Sequence, residues 1–512
     1  MQDVDVLVLG AGFGGLCMGI HLERSGVGSF AILERASEVG GTWRDNRYPG
    51  CACDVPAALY SYSFEPNPGW SRRFAERGEI QAYLEHCADK YGLRSRIAFG
   101  EDVRRASFDG ARSAWLVETA RGSRYRARVV VTALGAMSTP AYPGIAGRER
   151  FEGEQLHSAA WNPGYDFAGK RVAVIGTGAS AIQIVPQIAP QVARLDLYQR
   201  TAPWVVPKPE RVTLAAERAL YRSLPLSQKL VRWLTYWQLE VQVLAFARHP
   251  RLLRLAEGMA RRHLGRQVPS AELRARLTPT FALGCKRVLL SNDYYPALSR
   301  PNVEVVTEPI RELRARSVVD MAGREREVDA IIYGTGFEVQ RFVPRGRFIG
   351  AQGQDLADAW QDGPEAYKGT TVTGFPNLFF VVGPNTGLGH SSMILMIESQ
   401  VAYIVDAVAQ MRHNGWASVE VTPEAQVAYN RELQARSRPS VWASGCSSWY
   451  LSASGRNTTL WPDFTFRFRR LTRRFDMAAY RVGNAVTARE AAAELTHAEP
   501  VAAEAVEEAV AR

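Results

Sequence analysis

The chain has 512 residues, 46% apolar and 22% charged, enough for two or three domains with real cores. Its net charge of +10 is dispersed. The densest basic run, Arg467, Arg469, Arg470, Arg473 and Arg474, reads as a solvated or cofactor-adjacent surface and not as a nucleic-acid site. No uncharged apolar stretch of roughly 18 residues occurs, so no membrane span is expected. Six scattered cysteines suggest a reducing, cytoplasmic setting and no disulfide framework.

Met1-Gln2-Asp3-Val4-Asp5 carries no basic segment, so the start is read as a first strand and not as a signal peptide. Val4 to Leu9 reads as a buried parallel strand. Gly10, Gly12 and Gly15 follow in Gly-x-Gly-x-x-Gly spacing, and a helical pattern runs to about Arg24. Gly10 allows a tight turn, Gly12 lets the backbone approach a pyrophosphate, and Gly15 lets helix and strand pack closely. A second strand ends at Glu34, whose carboxylate accepts from a ribose 2′-hydroxyl and repels a 2′-phosphate. Strand, glycines, helix, strand and acid in order predict a site for an unphosphorylated dinucleotide, read as FAD. Just beyond come Arg35, Gly40-Gly41-Thr42-Trp43, and Tyr48-Pro49-Gly50 with Asp54.

Phe151, Gly153, His157 and Trp161 follow, at a spacing improbable by chance. Lys170 to Ile175 is predicted as a strand, and Gly176-x-Gly178-x-x-Ala181 opens the next helix. The strand after it ends at Arg200-Thr201, where the first unit has Glu34. An arginine pairs with the 2′-phosphate that an acid rejects, so this second unit is read as an NADPH site. Residues 210–282 are helical by period. There Leu230, Leu234, Trp237, Val241 and Leu244 form a stripe expected to pack as core. A membrane interface for Trp233, Tyr236 and Trp237 is the alternative. Gly284-Cys285-Lys286-Arg287 comes next, then a strand at Val328 to Tyr333, the turn Gly334-Thr335-Gly336-Phe337, and a glycine-rich loop from Pro384 to His390. The chain after Asn484 is Ala/Glu-rich without aromatics and is expected to be a disordered tail.

Phe151-x-Gly153-x-x-x-His157-x-x-x-Trp161 resembles the fingerprint of type I Baeyer–Villiger monooxygenases, with Asn162 where that family carries Pro or Asp. Gly41-x-Trp43, Tyr48-Pro49-Gly50 and Asp54 resemble a second motif of the family. Gly284-Cys285-Lys286-Arg287 resembles its Lys-Arg segment, nearest the hydroxyacetophenone monooxygenase-like branch. The resemblance implies an α/β fold of two Rossmann-like domains, for FAD and NADPH, with a helical insertion. In chain order the expected parts are a flavin segment (1–145), an NADPH segment (146–209), the insertion (210–282), a second NADPH segment (283–326), a second flavin segment (327–484) and the tail (485–512).

The implied activity is insertion of oxygen beside a ketone carbonyl, by way of a flavin peroxide, to give an ester or lactone. Arg287 then lies over the flavin and Lys286 reaches for the NADP phosphate. Asp54 sits near the flavin and orients Arg287. Arg35, Gly41, Thr42, Trp43 and Gly336 contact FAD, and Trp449 contacts NADP. The chemistry supplies a reason for Arg287: a permanent cation stabilises both the attacking peroxy anion and the oxyanion it creates. His157 reads equally as a structural linker or as a catalytic residue. The partners expected are a ketone and O2, with the chain a monomer or homodimer. Eight histidines show no metal-ligand spacing, and Cys51-x-Cys53 fits neither a zinc site nor a flavin disulfide pair. Two rival readings stay open: N- or S-oxygenation, which needs no Arg287, and a flavin-binding redox module without turnover.

Overall fold

The computed structural model describes residues 1–26, 28–341 and 343–484; the expected disordered tail lies outside the described residues. The first unit begins with β1 (Gln2–Leu9), α1 (Phe13–Ser25) and β2 (Phe30–Glu34). Val6 to Leu9 have no solvent exposure, which is why this strand is an unbroken apolar run: helices and sheet cover both faces. β1 pairs in parallel with β2 on one side and with Arg124–Thr132 on the other. Antiparallel strands Ala114–Thr119 and Val103–Asp109 extend that sheet. Ile97–Phe99 pairs with β2 at one edge, and late segments Phe348–Ile349 and Leu378–Phe380 return to complete the sheet, eight strands in all.

The second unit repeats the plan with β3 (Arg171–Ile175), α2 (Ala181–Ile188) and β4 (Arg194–Tyr198). Its five-stranded parallel sheet runs in the order Val303–Val306, β4, β3, Ala330–Tyr333, Glu154–His157. Ala330–Tyr333 was assigned by sequence to the returning flavin segment that starts at 327. It lies instead between two strands of the second unit's sheet, because four consecutive fully buried residues fit a central position there. The chain crosses back to the first unit only after Tyr333.

Three longer helices dominate the insertion: α3 (Ala215–Ser223), α4 (Pro225–Glu240) and α5 (Leu253–Gln267). The apolar stripe of α4 corrects its sequence reading. Leu230, Leu234 and Trp237, with Val241 and Leu244 beyond the helix end, are exposed and not core. The two fully covered residues of α4 are polar, Gln228 and Glu240, while Tyr236 and Leu239 pack half-buried against the main core. Arg232 on that side donates to the carbonyls of Ala58 and Ser61, both at 3.0 Å. Among the described residues one helix, α6 (Met393–His413), is long and apolar enough to cross a bilayer, and it packs against α1. α7 (Thr465–Leu471) follows near the end and also lies against α6.

Candidate active site

A long cavity opens along the carboxyl edge of the first sheet. Gly10 sits there at φ 103°, and a Cβ on it would come within 2.7 Å of the Ala133 carbonyl oxygen. A Cβ on Gly15 would come within 1.7 Å of the Gly10 carbonyl oxygen, so no larger residue fits. Gly12 precedes α1 without any side-chain cap, which leaves the helix's first amides to a ligand. Glu34 lines the same cavity and is buried. Its carboxylate accepts from the Ala11 amide at 2.8 Å and from Arg44 Nη1 at 2.8 Å. Arg44, which the sequence did not single out, thus neutralises a buried anion on the cavity wall. Arg35, Gly41, Thr42 and Trp43 also line the cavity.

The far end of the cavity holds Arg287 and Trp449. Arg287 donates from Nε and Nη2 to the two Asp54 oxygens, at 2.7 and 2.6 Å. This fork-to-fork pair fixes the guanidinium plane. Asp54 also raises the Arg287 pKa further, so the cation persists at every working pH. Burial pushes the neighbouring Tyr450 phenol up to about 12, keeping it neutral. Trp43 Nε1 donates to the Tyr60 hydroxyl at 3.1 Å, and both rings face the cavity. Val382 lines it too, at φ 62°, a conformation that costs a β-branched residue energy. The fully buried Gln400 holds it there: Val382 N donates to its Oε1 at 2.9 Å, and its Nε2 donates to the Gly369 and Phe380 carbonyls at 2.8 and 3.1 Å.

The second cradle is built at the carboxyl end of β3. Gly176 has φ 105°, and a Cβ on it would come within 2.5 Å of the Gly334 carbonyl oxygen. Gly178 has nothing closer to such a Cβ than 3.9 Å. Ala181 stands where the first unit has Gly15, and a Cβ on Gly334 would come within 3.2 Å of its methyl. Arg200 and Thr201 follow β4, and the Thr201 carbonyl accepts from Thr177 Oγ1 at 3.0 Å. Burial and the nearby Arg200 charge both lower the Lys286 pKa. Among the described residues neither cation has a carboxylate within ion-pair distance, so the two together form a site suited to an anion. Lys286 and Arg287 are adjacent in the chain, yet Arg287 lines the first cavity while Lys286 lies near Arg200.

Residues 7–215 match the pyridine nucleotide-disulphide oxidoreductase family. A Baeyer–Villiger monooxygenase of Pseudomonas aeruginosa is 51% identical over 479 residues, 93% of this chain and 91% of that protein. One of Streptomyces coelicolor is 50% identical over 483 residues, 94% of this chain and 93% of that protein. The chain belongs to the Baeyer–Villiger monooxygenases. Among solved structures, an oxidized steroid monooxygenase bound to NADP superposes with a TM-score of 0.83 at 30% identity, covering 94% of this chain and 100% of that one.

In this monooxygenase the fingerprint residues stand outside the cavity. Phe151 is buried, and a Cβ on Gly153 would come within 2.5 Å of the Asp329 carbonyl oxygen. His157 is fully buried, its ring packed on Tyr142 and Phe337, and its Nδ1 accepts from the Ala159 amide at 3.1 Å. Burial pushes its imidazole below the usual value, partly offset by the Gly336 backbone. Trp161 stacks on Phe167 and meets the Tyr48 ring edge-on. Tyr48 in turn donates to Gln183 of α2 at 3.0 Å. The fingerprint therefore braces the two units against each other. Gly336, read from the resemblance as an FAD contact, is likewise absent from the cavity lining; its carbonyl accepts from the Ala141 amide at 2.9 Å on the crossing between units. The expectation of unpaired cysteines also needs correction. Cys285 is disulfide-bonded to Cys446, 161 residues away, while Cys17, Cys51, Cys53 and Cys87 are free and buried. The bond ties the Lys286-Arg287 segment to the one bearing Trp449. No spacing rule signals a pair this distant.

Proposed function

We propose that FAD occupies the first cradle, NADPH the second, and that Arg287 is the group that works on the oxygen atom passed from O2 to a ketone. The enzyme is an NADPH- and O2-dependent flavoprotein monooxygenase that inserts oxygen beside a ketone carbonyl. The observation that carries the residue assignment is the Lys286-Arg287 dipeptide, with one cation beside Arg200 and the next clamped by Asp54 on the first cavity. The residues fit the cofactors: glycines that tolerate no Cβ, an uncapped helix start, a buried acid for a ribose, and paired cations for a 2′-phosphate.

Bound FAD, once reduced by NADPH, supplies the activated oxygen. Arg287 stabilises negative charge on the attacking oxygen and on the oxyanion left on the ketone, without a proton to lose. Asp54 orients the fork. Arg200 and Lys286 hold the phosphate that NADH lacks, and Glu34 with Arg44 holds the flavin-side ribose. The Gly284-Cys285-Lys286-Arg287 segment resembles the hydroxyacetophenone-type branch, which makes an aryl ketone one of the substrates to try.

The test is a panel of 4-hydroxyacetophenone, cyclohexanone and an alkyl aryl thioether, with oxygen uptake and product mass measured. Ester from a ketone supports the assignment. Sulfoxide alone would favour the electrophilic oxygenase, and NADPH consumption without any oxygenated product would favour a redox module. Preference for cyclohexanone would refute only the branch.

A further inference from the structure

We propose that the outer face of α4, together with the arginines of and just beyond α7, docks this enzyme on anionic phospholipid membranes. The fully buried residues of α4 are polar and its largest apolar side chains face outward, with only Tyr236 and Leu239 packed half-buried on the core. Its polar residues reach inward: Gln228 Nε2 donates to the Asn67 carbonyl at 2.7 Å, and Glu240 accepts from the Thr465 hydroxyl at 2.8 Å. What faces solvent is a continuous apolar stripe that includes Leu226, Leu230, Trp233 and Trp237, the last two 56% and 41% exposed. Single exposed leucines are ordinary, but a run of them with two tryptophans along one helix is not.

The charges around the stripe have one sign. From Arg218 to Ala256 the only acid is Glu240, which is fully buried, while Arg222, Lys229, Arg251 and Arg254 are exposed and Arg218 is half-buried. The Trp237 ring lies 6.3 Å from that of Phe466 on α7. Behind Phe466 come Arg469, Arg470, Arg473 and Arg474, all exposed and, among the described residues, without a carboxylate within ion-pair distance, although Arg469 lies near enough to Glu398 to offset in part the rise that burial gives its pKa. Lys368, Arg470, Leu471, Arg473, Arg474 and Asp476 line a separate cavity there, and Asp476 is already paired with Lys368 at 2.8 Å. The net positive charge left suits a lipid phosphate. Leucines and tryptophans beside clustered arginines match an acyl boundary under anionic headgroups. A second copy fits worse, because a two-fold contact would set the same cations against themselves. The docked face would bring the insertion, whose inner side carries Glu240 and Arg232, close to lipid-dissolved ketones.

The experiment uses the full-length flavin-bound enzyme and flotation with vesicles of equal parts phosphatidylglycerol and phosphatidylcholine, against phosphatidylcholine alone. The enzyme should float with the anionic vesicles at low salt, and tryptophan emission should shift to the blue. Leu230→Ser/Trp233→Ser/Trp237→Ser should abolish both signals. Arg470→Glu/Arg473→Glu/Arg474→Glu should weaken anionic-vesicle binding by more than tenfold, since each surface cation near such a membrane contributes about a factor of five. Both variants should keep bound flavin and turnover of a water-soluble ketone. Absence of the parent from the floated fraction would overturn the proposal, as would flotation that neither variant changes. Self-association that the serine variant abolishes, without vesicle binding, would overturn it in favour of a protein interface.

Discussion

Replacing Arg287 should separate oxygen transfer from flavin reduction. In Arg287→Ala the two hydrogen bonds to Asp54, at 2.7 and 2.6 Å, are lost together with the only cation of the pair. The Asp54 carboxylate then remains beside the cavity without its partner, where it opposes any developing negative charge. Loss of one preorganised donor of this kind costs about 2.7–4 kcal/mol, or about a hundred- to a thousandfold in oxygenation rate. Arg287→Lys keeps a charge but not the fork, so it should fall between, nearer the alanine variant. Asp54→Asn should show a milder loss, because the cation stays and only its orientation loosens. Hydride passes from nicotinamide to flavin without this side chain, so anaerobic rapid mixing with NADPH should show reduction little changed. In air the oxygen consumed should appear as hydrogen peroxide, and product mass should show the loss of ester. Near-parental ester yield in Arg287→Ala would refute the reasoning. So would a fall in flavin reduction as large as the fall in oxygenation, which would make Arg287 a nucleotide-binding residue.

Arg200→Ala should raise the apparent NADPH constant about ten- to a hundredfold, for loss of a charge-assisted contact of roughly 1.5–3 kcal/mol, and leave NADH nearly unchanged; steady-state kinetics with both nucleotides decides it. Cys285→Ser should lower stability by about 2–4 kcal/mol. Dithiothreitol should reproduce that drop in melting temperature in the parent and cause none in the variant. His157 is held neutral by burial, so its folded pKa lies below the unfolded value of about 6.5. The unfolded chain then binds the proton more readily, and stability that is complete above about pH 6.5 falls as pH drops toward the folded pKa. His157→Gln should flatten that acid slope in melting-temperature scans, leaving the part due to His21, which burial also lowers.

What the sequence determined by itself was local. Gly10, Gly15 and Gly176 were legible because the backbone at a strand-to-helix turn has no room for a Cβ, and that demand is met within a few residues. Glu34 and Arg200 were legible for a similar reason: each stands at the end of a strand whose position the glycines already fix. The motif order also carried the alternation between two sheets, except at Ala330–Tyr333, where a short apolar run could have joined either one.

The tertiary structure alone decided what depends on distant segments meeting. Arg287 and Asp54 are 233 residues apart, and Cys285 and Cys446 are 161 apart; no periodicity links either pair. Arg44 joined the lining of the first cavity only because a four-residue helix turns it onto Glu34. The strained φ of Val382 needs Gln400 from α6 to hold it. The stripe on α4 shows the limit most plainly. Helical spacing tells that a helix has an apolar face and a polar one, but not which of them the rest of the protein covers. Here carbonyls of Ala58, Ser61 and Asn67 and the hydroxyl of Thr465 claim the polar face, and the apolar one is left outside.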